Sequence, residues 1–422
     1  MCPGLNPTRM LTPTHSHVAS SAYFMLPALL LIAIFLTSQR PEGYIRSAFL
    51  AVSSMADNCA VPLVVEDRGV DPFCELTLNG SRVCLPRLWL IGASKSATSS
   101  LALHLAGNPH VQLRCGNTHK HPPVPVEPVW LRLNGTLYSS CRGTREVQLY
   151  NHVADSAVRL ESERNMSVLM WGEADTSLEY TPDYLYHPAV AKRVHLTFQQ
   201  LSAAALGPVP APLTERLRFV VMLREPVSRT VSSFWAKGGR TVSEAIETFD
   251  MLIDDYRRQK ACLARNISAL ECGSDGRGGA WTPHDHLSKS VYAPQLARWF
   301  RVFSPCQFFV TTMERFYLRG VVARGAAYDA LLRWAGLPTD SLTSIKRDEL
   351  LGTRMNPTKN PQRQPLPTSY QLKLQRFFEP HNHELARLLG LTILHDWYGP
   401  PPSPRGVDDP PPPALAPSFV ES

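Results

Sequence analysis

The stretch Leu88-Trp-Leu-Ile-Gly92-Ala-Ser-Lys95-Ser96-Ala97-Thr98-Ser99-Ser100 places a lysine and several hydroxyls just beyond an apolar run. Such a run predicts a buried strand, and the small residues after it predict a turn into a helix. Backbone N–H groups and the helix dipole then converge on an anion at the turn, with Lys95 as a mobile positive charge. A second apolar run, Arg218 to Leu223, ends in Arg224, and Pro226 opens an expected helix that carries Ser232 about two turns along. Arg224 and Ser232 can then hold one phosphate. Two anion sites on adjacent strand ends suit a ligand phosphorylated at both ends. The competing reading is ordinary: Arg224 pairs with Glu225 or Glu173, and Ser232 only packs. The loop is not a Walker A loop, because no second glycine directly precedes the lysine, which disfavours nucleoside-triphosphate hydrolysis.

Strands and helices must alternate to position these groups. Strands are expected at Leu88 to Ile91, Val168 to Trp171, Phe219 to Leu223 and Phe308 to Thr311. Helices are expected at Ser99 to Ala106, Thr241 to about Gln259, from about Val291 to Phe303 and over roughly Ser369 to Phe378. The second begins with the capping-box pattern Thr241-x-x-Glu244, and Val242, Ala245, Ile246, Phe249, Ile253 and Tyr256 fall on one of its faces. Short apolar runs alternating with helical patterns predict an α/β domain with a parallel sheet.

The 422 residues are 44% hydrophobic and 19% charged, which excludes a wholly disordered chain. A net charge of +7 suits anionic ligands, but no long basic run of the kind found in nucleic-acid tails is present. Residues 22–38 carry no charged side chain and, with the two preceding serines, span about 28 Å as a helix. The run is long for a signal-peptide core and ends without a small-x-small cleavage site, so an uncleaved anchor is expected rather than a cleaved signal peptide. Eight of nine cysteines and the sequons at Asn79, Asn134, Asn165 and Asn266 follow it. An even number without CxxC pairs fits a disulfide framework in an oxidising lumen. The expected division is a cytoplasmic head at 1–21, the transmembrane signal anchor at 22–38, a lumenal stem at 39–85, a catalytic domain at 86–398 and a proline-rich tail at 399–422 that cannot build a core.

The two anion motifs together resemble those of the sulfotransferases that use 3'-phosphoadenosine 5'-phosphosulfate, specifically the Golgi carbohydrate sulfotransferases. Lys95-Ser-Ala-Thr-Ser is similar to their 5'-phosphosulfate loop, and Arg224-x-Pro-x-x-Arg-x-x-Ser232 to their 3'-phosphate motif. Cys84-Leu-Pro-Arg-Leu-Trp-Leu-Ile-Gly and Lys120-His-Pro bring the chain nearest to the branch containing N-acetylgalactosamine 4-sulfate 6-O-sulfotransferase. The likeness continues through Gly172-Glu-Ala-Asp-Thr-Ser-Leu-Glu-Tyr, Ser290-Val-Tyr-Ala-Pro-Gln and Phe377-Phe-Glu-Pro-His-Asn-His, covering roughly residues 84 to 398. It implies a P-loop-like three-layer α/β domain with a central parallel sheet, preceded by a single N-terminal transmembrane helix. It also implies a type II protein of the Golgi membrane that moves a sulfuryl group to a glycan hydroxyl, with an acidic glycan such as chondroitin or dermatan sulfate as acceptor, and with no metal and no nucleic-acid partner.

On that resemblance Lys95 neutralises the leaving oxygens, Ser96, Ala97, Thr98, Ser99 and Ser100 hold the 5'-phosphate, and Arg224 and Ser232 hold the 3'-phosphate. Thr358, Lys359 and Arg363 belong to a basic loop that folds over the nucleotide in the resembling enzymes, and Lys237 to Arg240 are expected along an acceptor channel. The chain departs from the family at two places. Ala97 stands where the loop glycine is usual, an unfavourable choice if φ is positive. His121 stands where a catalytic glutamate is usual. His121 is the first candidate base, with Glu127, Glu173 and Asp175 as rivals, and the alternative is that His121 is a surface residue. His110, Cys115, His119 and His121 match no standard zinc spacing, and His381 and His383 are expected as first-turn helix residues. Two further functions stay open: a catalytically weak homologue that binds sulfated glycans, and a nucleotide-dependent kinase.

Overall fold

The first apolar run forms β1 (Leu88–Gly92), every residue of it buried. It turns into α1 (Thr98–Ala106), which stops at Gly107, and the chain returns through β2 (Val111–Leu113). Then follow β3 (Thr176–Tyr180), α2 (Val190–Ala204), β4 (Arg218–Leu223), α3 (Pro226–Ala236) and α4 (Val242–Leu263). The order ends with α5 (Tyr292–Phe300), β5 (Phe308–Thr312), α6 (Val321–Ala335), α7 (Thr368–Leu389) and α8 (Thr392–Tyr398). This computed structural model describes residues 73–76, 82–114, 116–117, 124–125, 128–133, 136–141, 146, 148–152, 156–165, 168–169, 176–204, 212–263, 285–352, 360–390 and 392–398.

The five strands form one parallel sheet in the order β5-β4-β1-β3-β2. Alternating side chains feed two faces. Leu88, Leu90, Val220 and Met222 pack with Leu101 and Leu105 of α1 and with Tyr328, Leu331 and Leu332 of α6. On the other face Trp89 lies 5.7 Å from Phe198 of α2, and Phe219 lies 5.1 Å from Trp299 of α5, both by ring centroid. The expected central parallel sheet with helices is therefore present. A further cluster joins Phe234 and Trp235 of α3, Ala245, Phe249 and Ile253 of α4, and Tyr370, Leu374 and Phe378 of α7. The α4 face is the one expected, and Thr241 Oγ1 accepts from Glu244 N at 3.1 Å, one half of a capping box, while Glu244 Oε2 accepts from Arg240 N at 2.9 Å in place of Thr241 N.

Four expectations need correction. Val168 to Trp171 is no strand of the central sheet: Val168–Leu169 pairs antiparallel with Arg82–Cys84 in a separate three-stranded sheet. Its apolar composition suits either sheet, whereas β3 is harder to see because it carries Glu179, buried and paired with Arg114 at 3.5 Å. The last long helix does not stop at Phe378; it runs through Pro380 to Leu389, since buried Phe378, His381 and Leu385 reward its continuation despite the missing N–H. His381 and His383 consequently lie well inside that helix and not in a first turn. Finally, α5 is shorter than Val291 to Phe303, with Arg301 at its C-terminal cap.

Cys74–Leu76 and Arg82–Cys84 form an antiparallel pair closed by a Cys74–Cys84 disulfide, within the 39–85 stretch. Cys306 is disulfide-bonded as well. No described helix is long and apolar enough to cross a membrane, and the expected anchor at 22–38 lies outside the described residues.

Candidate functional site

At the carboxyl ends of β1 and β4 the strand order reverses: β1 leads away toward β2 and β3, while β4 and β5 lie on its other side. In open parallel sheets this crevice is where ligands bind. The loop after β1 is drawn tightly into it. Ala93 N donates to Met222 O at 2.7 Å, and Leu185 N to Ile91 O at 2.8 Å. Gly92 permits this approach, because a Cβ there would fall 2.6 Å from Leu185 Cβ. Lys95 and Ala97 have φ of 71° and 60°, both left-handed, so the chain curls and then enters α1. Ala97 is the N-cap of α1 and offers no side-chain cap, while its carbonyl accepts from Ser100 N at 3.1 Å and Leu101 N at 3.1 Å. The doubt attached to Ala97 is thus real: its methyl occupies a backbone conformation suited to glycine.

Arg224 follows β4 directly. Its Nη1 donates to Lys95 O at 3.2 Å, so the guanidinium sits against the loop rather than in a surface pair. Glu225 does other work: its carboxylate accepts from Val227 N at 3.0 Å and Ser228 N at 2.6 Å, capping α3. With α3 closed by a carboxylate, the anion-attracting features at this strand end are Arg224 itself and the neighbouring loop. Behind them, Arg229 is 1% exposed. Its Nε donates to Ser94 O at 2.9 Å, and its Nη1 to His286 O at 2.8 Å and Ser290 Oγ at 3.3 Å. Tyr292 Oη donates to Arg224 O at 2.9 Å. Glu314 accepts from Glu225 N at 3.0 Å and Trp397 Nε1 at 3.1 Å, and its charge offsets part of the burial cost of Arg224.

The electrostatics are those of an anion receptor. Burial pushes the Lys95 pKa down, and Arg224, Arg229, Lys237 and Arg363 push it further in the same direction. Repulsion among these cations is relieved by a bound polyanion. Ser96 Oγ, on a residue with no exposed surface, and Arg224 Nε are among the twelve buried side-chain atoms that lack a hydrogen-bond partner among the described residues. An unsatisfied buried donor costs about 1–3 kcal/mol, which a bound acceptor would offset. The cations gathered about Lys95 suit an anionic ligand.

The structure brings Arg224 against the loop that carries Lys95, Ser96 and Ala97 and opens α1 at Thr98, Ser99 and Ser100. Thr98 and Ser100 are buried, and Ser99 Oγ lies 2.8 Å from Tyr180 Oη, which already engages its hydroxyl. Ser232 is buried on α3. His121, Glu127, Glu173, Asp175, Thr358 and Lys359 lie outside the described residues. The basic C-terminal loop is nevertheless anchored beside the site: Asn360 Nδ2 donates to Trp235 O at 3.0 Å and Gly239 O at 2.9 Å, and Arg363 acts on both Lys95 and Arg224. Arg229, Tyr292, Glu314 and Asn360 are contributors that spacing alone did not reveal, although Arg229 stands in the motif that drew attention to Arg224.

No protein-family model matches the chain, and no curated protein does. Among solved structures, a sulfotransferase from Alicyclobacillus acidocaldarius is similar with a TM-score of 0.41 and 16% identity, over 72% of this chain and 95% of that one. The sulfotransferase domain from the curacin biosynthetic pathway is similar with a TM-score of 0.29 and 12% identity, over 71% of this chain and 98% of that one.

Proposed function

We propose that the chain is a sulfotransferase that moves a sulfuryl group from 3'-phosphoadenosine 5'-phosphosulfate to a hydroxyl of an acidic glycan, of the chondroitin or dermatan sulfate kind. The observation that carries this reading is the meeting of two cationic motifs at the ends of β1 and β4: Lys95 and its loop on one side, Arg224 on the other, joined by the hydrogen bond from Arg224 Nη1 to Lys95 O, with Arg229, Lys237 and Arg363 acting on the same lysine. The donor has one phosphate group for each side. Sulfuryl transfer asks the protein for in-line placement, charge stabilisation on the leaving oxygens and removal of one proton. Lys95 supplies the charge, Ser96 to Ser100 hold the 5'-phosphate, and Arg224 with Ser232 holds the 3'-phosphate. Arg363 and the residues before it, Thr358 and Lys359, close over the nucleotide, while Lys237 and Arg240 attract the acidic acceptor. His121 and Glu127 are the candidates that the sequence alone offers for taking the acceptor proton.

The same reading places the protein in the Golgi membrane as a single-pass type II protein, with the domain at 86–398 in the lumen and the segment 22–38 as its anchor. The disulfide at Cys74–Cys84 agrees with an oxidising compartment. The experiment is incubation of the full chain with radiolabelled phosphosulfate donor and a panel of glycosaminoglycans. Label on a chondroitin or dermatan acceptor supports the proposal; nucleotide binding with label on no acceptor supports the glycan-binding homologue; phosphate transfer from ATP supports a kinase.

A further inference from the structure

Beside the donor crevice a carboxylate is held on a chain of contacts that starts at β1. Thr181 N donates to Leu90 O at 3.2 Å, two residues before the strand ends. Gln148 N donates to Thr181 Oγ1 at 3.0 Å, and Gln148 Nε2 donates to Glu146 Oε2 at 2.8 Å. Gln148 does this from a left-handed backbone with φ of 53°, a conformation that costs a residue with a Cβ about 1 kcal/mol or more and persists where surrounding contacts impose it. Among the described residues Glu146 Oε1 accepts no hydrogen bond, so one carboxylate oxygen is fixed and the other is left for a ligand.

Three charged groups from three other elements face Glu146: Asp183 from the turn after β3, Lys237 from the end of α3, and Lys289 from the 3-10 turn Ser288–Ser290. Lys289 Nζ is already paired with Asp183 Oδ1 at 3.1 Å. Lys237 is also a neighbour of Lys95, so Glu146 and Lys95 look onto the same cation. Asp183, Lys289 and Arg229 line a small crevice together with Ala93 and Ser94 of the loop. A carboxylate fixed at one oxygen, beside the sulfuryl donor site and near Lys237, which attracts an acidic sugar, has the placement a proton acceptor needs.

We infer that Glu146 is the general base for the acceptor hydroxyl, a role that rests on the sulfotransfer reading. In the step, the acceptor oxygen bonds to the sulfur as the bond from sulfur to the 5'-phosphate oxygen breaks. The hydroxyl proton passes to Glu146 Oε1, and adenosine 3',5'-bisphosphate leaves with the bond's electron pair. Burial, the first cause, and the charge of Asp183 raise the Glu146 pKa above the ordinary carboxylate value, against the hydrogen bond from Gln148 and the charges of Lys237 and Lys289. A raised pKa makes a stronger base, and the rate then climbs with pH through that value as the carboxylate forms.

The test uses the full chain with phosphosulfate donor and the best acceptor of the panel, comparing wild type with Glu146→Gln, Glu146→Asp, His121→Gln and Glu127→Gln. Adenosine 3',5'-bisphosphate titration reads donor-site integrity in each. The expected result is that Glu146→Gln lowers kcat by about 10²–10³-fold and abolishes the acidic limb of the pH profile, with the bisphosphate Kd unchanged within about twofold. Glu146→Asp keeps a limb, displaced in pH, and the His121 and Glu127 variants keep theirs in place. An active wild type whose Glu146→Gln variant retains kcat and the acidic limb overturns the Glu146 role alone, as does loss of that limb in His121→Gln or Glu127→Gln. A wild type that binds the bisphosphate and transfers no label overturns the sulfotransfer reading and this role with it.

Discussion

Arg229 Nε donates to the backbone carbonyl of Ser94 at 2.9 Å, across 135 residues of sequence, and so ties the start of α3 to the loop that presents Lys95. Five residues earlier, Arg224 Nη1 reaches the carbonyl of Lys95 at 3.2 Å. The two arginines of one motif thus have different tasks. Arg229 spends its donors on protein acceptors at Ser94, His286 and Ser290, whereas Arg224 keeps a buried Nε without a partner.

Replacing each arginine by alanine separates these tasks. Arg229→Ala strands buried acceptors on both sides of the crevice and is expected to cost about 3 kcal/mol or more of stability. Arg224→Ala is expected to unfold within about 1 kcal/mol of wild type yet lose at least tenfold in bisphosphate affinity. Urea unfolding and nucleotide titration of the two variants check the contrast; equal stability losses would contradict it.

Ala97 provides a second test. Its φ of 60° at the α1 N-cap imposes a left-handed backbone on a residue with a Cβ. Ala97→Gly removes that strain at the expense of a looser unfolded chain and of methyl packing against the core, for a net gain of about 0.5–1 kcal/mol. Thermal unfolding reads the gain. Full activity in the variant would also show that the methyl is no part of donor recognition.

How far the chain could be read before folding depends on what each segment advertises. β1, β4 and β5 are nearly unbroken apolar runs, and a strand buried on both faces has to look that way. β3 hides because Thr176, Ser177 and Glu179 read as polar, and only the fold shows Glu179 neutralised by Arg114. The helix expected to end at Phe378 continues through the burial of His381 and Leu385, to which local propensity is blind. Lys95, Ser96 and Arg224 stand out as candidates from their position after apolar runs, and the fold brings Arg224 to the Lys95 carbonyl. Arg229, Glu314 and Asn360 do not stand out, since each acts through backbone groups that are distant in sequence.

The C-terminal loop is predicted to act on the donor through Asn360. Its two hydrogen bonds to Trp235 O and Gly239 O hold Arg363 near Lys95 and Arg224. Asn360→Ala is expected to weaken bisphosphate binding about tenfold, roughly the worth of one or two such bonds, with little change in kcat. Steady-state kinetics at saturating acceptor separates the two effects.

His381 sets an acid-sensitive part of the stability. It is buried in α7 against Tyr256 and Phe377, and burial, aided by Lys260, lowers its pKa to about 4. Between that value and the unfolded value near 6.5 the unfolded chain binds a proton that the native chain refuses, so stability falls as pH drops through this window, by up to about 3 kcal/mol. Denaturant titrations at pH 7 and pH 4.5 should show a smaller difference in His381→Leu than in wild type.

The most direct measurement is transfer of radiolabel from 3'-phosphoadenosine 5'-phosphosulfate to chondroitin or dermatan acceptors by the wild-type chain and by Lys95→Ala, with unfolding curves recorded for both. The account predicts labelled glycan from wild type, loss of turnover by at least 10³-fold in Lys95→Ala, and matching unfolding midpoints. A well-folded Lys95→Ala protein with wild-type turnover would contradict it.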